Sequence, residues 1–294
     1  MIFLFTETVL LMKTLHLLLP MLLLVMLATV ASGAEMESMR LSVDHEQREQ
    51  GQFFTVTVTD PPEEPVLWFM DRSYRMFCQV DNSWRALLPV ENLTLPGSYP
   101  LRLQSGSSEQ KMLLAVAANN RPIQQIALDS SKAELKATEI EKSRVKAALH
   151  TESLEKLFAG SFVRPASGRT SSLFGLKRSY NGGPLESYHK GVDISAPQGR
   201  AVQSTAKGRV ILTGTVDGGF QVHGNTVIID HGQALISIYM HLSAISVHEG
   251  QLVEAGEVIG NVGHTGISTA PHLHWGTYLY GISVDPELFE GKVF

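Results

Sequence analysis

The chain has 294 residues, 44% of them hydrophobic and 18% charged, enough for two ordinary domains with a core in each. Its 24 basic and 29 acidic residues give a formal charge of −5, which lacks the basic excess of a nucleic-acid-binding surface. One cysteine, Cys78, excludes an internal disulfide framework and any zinc site built on paired cysteines, so a metal would need His and carboxylate ligands.

The first element in chain order is a targeting segment. Leu15 to Ala31 is almost unbroken Leu, Met, Val and Ala, with Lys13 before it and Ser32-Gly33-Ala34 after it, the pattern of a signal peptide cleaved after Ala34. Residues 1–34 are therefore expected to direct export, to the periplasm or otherwise outside the cell. Left uncleaved, the same run is at the lower edge of a spanning length and would tether the chain to a membrane. Residues 35–118 hold short apolar runs, among them the strict alternation from Phe53 to Thr59, broken by turn signals such as Pro61-Pro62 and Pro96-Gly97. A period of two with frequent breaks predicts a small β-sandwich. Cys78 lies in one of these runs and is expected to be a buried thiol.

Residues 119–159 read as a helical connector, with Ser130 and Ser131 as candidate caps and Val145, Ala148 and Leu149 on an apolar stripe. Residues 160–294 carry 21 of the 25 glycines and 8 of the 11 histidines. Glycine at that density between short apolar runs predicts tight turns and a compact all-β unit. The expected class is thus mainly β throughout.

Two patterns in this last segment carry chemistry: His189-Lys190-Gly191-Val192-Asp193 and His272-Leu273-His274-Trp275, with Tyr239-Met240-His241-Leu242 between them. Residues two apart on a strand share a face, so His272 and His274 point one way while Leu273 and Trp275 enter a core. Gly191 argues against a helix, so His189 and Asp193 are expected where a loop runs into a strand. Two histidines and an aspartate suffice for a hydrolytic zinc site, which keeps its fourth position for water. His231 reads as a turn residue, and His223, His248 and His264 as structural or solvent-facing. Arg178 and Asn181 lie just before the first motif and are candidates for lining a groove.

From Phe162 to Pro286 the chain resembles the lysostaphin-type, or LytM-type, zinc metallopeptidases. The matching stretches, in the family's order, are Ser171 to Gly175, Tyr188 to Ile194, Gly224 to Gly232, Ile238 to Leu242, Gly263 to Gly266 and Ser268 to His274. The resemblance implies an antiparallel sheet platform, zinc held by His189, Asp193 and His274, and catalytic roles for His241 and His272, leaving open which of the two is the base. It implies hydrolysis of peptide bonds in bacterial cell-wall peptidoglycan by a metal-activated water. Residues 36–158 resemble the immunoglobulin-like region and connector that precede this domain in some exported members. No nucleic acid is an expected partner, and a monomer is expected. The alternatives are an exported activator of other wall hydrolases and a secreted peptidase acting on Gly-rich proteins.

Overall fold

The computed structural model describes residues 39–185 and 187–294, so the targeting segment read in residues 1–34 lies outside the described residues. Among the described residues no helix is long and apolar enough to cross a membrane. The protein is mainly β.

The amino-terminal part consists of two sheets over one core. One has the order Arg40–Val43, Phe53–Thr59, Trp84–Pro89, Phe77–Cys78; the other runs Gln47–Glu49, Ser108–Ala117, Gly97–Ser105, Val66–Phe69, Arg72–Arg75. The alternation of Phe53–Thr59 sends Phe54, Val56 and Val58 inward, where they share a cluster with Leu67, Phe69, Leu101 and Leu103 of the second sheet. Phe54 meets Phe69 edge-on across the gap, with ring centroids 6.2 Å apart. Cys78 is exposed rather than buried. Its two-residue strand buries Phe77, and the alternation turns the next side chain outward.

The carboxy-terminal part is built on an eight-stranded sheet. Its path is Arg169–Ser172, Val192–Ser195, His272–Leu279, Leu235–Leu242, Asn225–Gly232, Gly208–Gly214 and Leu252–Val253, with Ile282–Val284 beside His272–Leu279. Every pairing in it is antiparallel. The central strands are buried on both faces, which explains their near-continuous apolar runs. One face packs Val227, Ile229, Tyr239, Leu273 and Trp275 together. The other packs Ile228, Ile236 and Ile238 beneath Val145 and Ala148 of the helix Glu139–Leu149.

The stretch between the two parts is less helical than its sequence suggests. It contains the strand Ile123–Ile126, a four-residue helix Ser130–Ala133 and the helix Glu139–Leu149. The caps are Asp129 and Thr138, not Ser130 or Ser131; the Thr138 hydroxyl accepts the Glu141 N–H. Ile123–Ile126 pairs in parallel with Lys177–Tyr180, a long-range pairing that four residues of sequence do not announce. The apolar core is also continuous from end to end. Phe53 stacks on Phe289 with centroids 4.9 Å apart, and Tyr280 meets Tyr74 edge-on while its hydroxyl donates to the Arg75 carbonyl at 2.7 Å.

Candidate metal centre and groove

The cross-strand register places Asp193 directly opposite His274, and His189 sits in the loop that leads into the Asp193 strand. The three side chains converge. His189 Nε2 lies 2.9 Å from Asp193 Oδ1 and 3.0 Å from His274 Nδ1, and His274 Nδ1 lies 3.0 Å from the same carboxylate oxygen. Gly191 permits this approach: a Cβ there would lie 2.4 Å from the Trp275 carbonyl oxygen and 2.7 Å from His274 Nε2. The alternation of the His272 strand holds as expected, with Leu273 and Trp275 fully buried beneath the histidine face.

Protonation sharpens the case for a cation. His189 Nδ1 is 2.8 Å from the Leu173 carbonyl, which can only accept, so that nitrogen carries the ring proton. Burial lowers the pKa of His189 and brings that of His274 to about 4, so both rings are neutral at neutral pH. Burial alone would raise the Asp193 pKa, but its close contacts with His189 and His274 outweigh it and hold the carboxyl well below the ordinary range. His189 Nε2 and Asp193 Oδ1 therefore face each other as two acceptors 2.9 Å apart, a contact that calls for a cation between them. Tetrahedral zinc bonds of about 2.0–2.2 Å place donor atoms roughly 3.3–3.6 Å apart, slightly wider than these separations. The donor set and its spacing fit a small divalent ion.

The outer oxygen of Asp193 is held too. Arg178 Nη2 donates to Oδ2 at 3.0 Å, while Arg178 Nε donates to Gln124 Oε1 at 3.0 Å and Ser172 Oγ donates to the same amide oxygen at 3.2 Å. Arg178 stands on the strand Lys177–Tyr180 and touches the centre as well as lining the groove. Asn181 lines the groove while binding the Leu128 backbone through its side-chain amide. No spacing signal reveals Gln124, because 54 residues separate it from Arg178.

His241 and His272 complete the cluster, with ring centroids 4.9 Å apart. His272 Nδ1 donates to the Ala270 carbonyl at 2.7 Å, and its Nε2 lies 3.7 Å from Asp193 Oδ1. His241 Nδ1 donates to the Thr265 carbonyl at 2.8 Å, from a left-handed backbone with φ of 64°. Burial, reinforced by His272 and His274, holds its pKa well below the ordinary histidine value. All five histidine and aspartate side chains border one cavity of about 690 Å³, whose rim includes Gln124, Ile126 and Leu128 from the connecting stretch.

The remaining histidines divide. His231 is fully buried in a strand, its Nδ1 donating to the Lys207 carbonyl at 2.9 Å and its Nε2 2.7 Å from Ser237 Oγ; it is a structural residue outside the cluster. His264 bonds Ser268, and His248 is exposed. His223 is neither isolated nor merely solvent-facing: it borders the cavity and contacts the buried carboxylate of Glu141.

An antiparallel sheet thus brings two imidazoles and a carboxylate to ligand spacing, with two more imidazoles over the same cavity. Residues 187–286 match the model of Peptidase family M23, and this stretch of the chain is a domain of that family. Over 98 residues it is 45% identical to the DD-carboxypeptidase/endopeptidase Mpg of Neisseria meningitidis serogroup B, covering 33% of this chain and 22% of that protein. Over 122 residues it is 35% identical to the murein hydrolase activator NlpD of Escherichia coli K12, covering 42% of this chain and 29% of that one. The chain thus spans less than a third of the length of these curated relatives. The crystal structure of a Pseudomonas aeruginosa protein assigned to peptidase M23 aligns with a TM-score of 0.63 at 27% identity, covering 82% of this chain and 94% of that one.

Proposed function

We propose that the protein is an exported, zinc-dependent endopeptidase that hydrolyses peptide bonds in bacterial cell-wall peptidoglycan. The observation that carries this reading is the triangle of His189, Asp193 and His274 donor atoms within hydrogen-bonding distance of one another, with His241 and His272 beside it. Those three residues would hold the ion. When bound, zinc supplies Lewis acidity that polarises a peptide carbonyl and eases deprotonation of water.

The chain's own residues supply the rest. Arg178 fixes the outer oxygen of Asp193, leaving its inner oxygen for the ion. His241 and His272 each commit Nδ1 to a backbone carbonyl, which leaves Nε2 of each ring as the nitrogen that can exchange a proton with the groove. The pair can therefore take the proton of an attacking water and return it to the departing amine. The cavity between the loops is an open groove of a size that accepts an extended peptide.

Digestion of purified sacculi by the full chain, with and without a chelator, tests the reading. Released peptide fragments that disappear on chelation and return with zinc are expected. Stimulation of a second wall hydrolase with no fragments released by this chain alone would replace hydrolysis with an activator's role.

A further inference from the structure

Glu141 is fully buried, although Glu139, Lys142 and Lys146 of the same helix are exposed. The spacing Thr138-x-x-Glu141 is that of a capping box, in which the Glu turns back to its own helix start. Here it reaches across to another segment. Its Oε2 accepts the Gln221 N–H at 3.0 Å, and its Oε1 accepts those of Val222 at 3.0 Å and His223 at 2.7 Å. Three successive backbone N–H groups around one carboxylate form an anion nest. Oε1 also accepts from His223 Nδ1 at 2.5 Å. The hydrogen bonds from His223 and the nest outweigh the effect of burial and hold the Glu141 pKa below its ordinary value.

This pin reaches the site. The His223 carbonyl accepts the His241 N–H at 3.0 Å, and His223 shares the cavity with His241 and His272. With Nδ1 committed to Glu141, the opposite edge of the ring, which carries Nε2, is the part left to face the groove; the side chain is 22% exposed. Nε2 has no hydrogen-bond partner among the described residues. An imidazole that gives Nδ1–H to a carboxylate can donate from Nε2 to an anion only as the imidazolium, the form that a buried carboxylate behind the ring stabilises while it fixes the ring's orientation. The charge of the groove agrees. Asp193 is the one carboxylate among its described lining residues and is engaged by His189, His274 and Arg178, whereas Lys190 is exposed on the lining.

We propose that His223 is a specificity-determining residue, held by Glu141 so that its Nε2 edge binds a carboxylate of the substrate peptide. The proposal rests on the wall-peptide reading above, since stem peptides carry free carboxylates beside their cleavable bonds.

Calorimetric titration separates the two. The metal-free full chain is titrated with a stem tetrapeptide bearing free carboxylates and with the same peptide fully amidated, so that binding is read without any cleavage. The wild type should bind the acid form at least tenfold more tightly, and His223→Ala should bring the two affinities within twofold while the far-ultraviolet spectrum is unchanged. Glu141→Gln, which keeps the side chain's volume, should weaken the preference in the same direction. An acid preference that survives intact in His223→Ala, or a wild type that does not prefer the acid form, would overturn the assignment. Failure to digest sacculi alongside a normal titration would count against the hydrolase and not against the subsite.

Discussion

At the scale of single residues, the proposed roles divide between holding an ion and moving protons. His272 and His241 contact the groove but are not part of the donor triangle. Replacing either with Ala should therefore lower turnover by about 10²- to 10⁴-fold, the usual worth of a proton-transfer group, with bound zinc unchanged. Steady-state digestion beside elemental analysis of the same preparations checks it. Arg178 acts through Asp193, so Arg178→Met should weaken zinc affinity by about 10- to 100-fold, read by competition with a chromogenic chelator. Unchanged affinity would mean that the Oδ2 contact does not orient the carboxylate. The histidine face was legible in the sequence because a strand's period is two, whereas Gly191 spoke there only against a helix and not for the close approach of the backbone to His274. Arg178 was legible as a groove residue but not as the partner of Asp193, since nothing in a 15-residue separation specifies that the two strands bring their side chains together.

At the scale of elements, the connecting stretch builds part of the site. Its strand supplies Gln124 to Arg178, and its helix supplies Val145 and Ala148 to the sheet and Glu141 to the 221–223 loop. Replacing Glu141 with Leu would strand three backbone N–H groups, a cost of about 3 kcal/mol or more by the usual penalty for unpaired buried donors. Urea unfolding should show that loss as a lower midpoint at unchanged slope. A chain beginning at Gly160 loses all of these contacts and should be less stable and less active than the full chain. Greater activity in the shorter chain would show that the connector blocks the groove. The apolar stripe of the helix was readable from its periodicity. The strand Ile123–Ile126 was not, because its register depends on Lys177–Tyr180, more than 50 residues away. Cys78 shows the reverse error: its residue type suggested burial, but the alternation around Phe77 decided its direction.

At the scale of the whole molecule, the amino-terminal sheets and the peptidase sheet share a core through Phe53, Phe289, Tyr74 and Tyr280. Asp285 lies in that junction. Its N–H donates to the Gly51 carbonyl at 2.8 Å, and its carboxylate pairs with Arg121 at 3.4 Å. Burial raises its pKa from 3.8 to about 6. Between those values the folded chain keeps a proton that the unfolded chain has released, so this group's contribution to stability falls as pH rises from about 4 to about 6 and stays lost above that. Asp285→Asn removes the penalty and should stabilise the protein by up to about 3 kcal/mol above pH 6, with the gain vanishing near pH 4. Thermal melts across that range would reveal it, and a gain independent of pH would point to a different cause. The mainly β class and the two-sheet character of residues 40–117 were readable from alternation and turn spacing. The continuous core was not, because Phe53 and Phe289 meet only once both halves are folded.

The central claim is that three named side chains hold one catalytic divalent ion. Elemental analysis of the purified full-length protein and its single-site variants tests it most directly. One zinc per chain is predicted in the wild type and in His272→Ala, with background levels in His189→Ala, Asp193→Ala and His274→Ala. A wild-type protein that digests sacculi with no bound metal, or a His274→Ala variant that keeps a full equivalent, would contradict it.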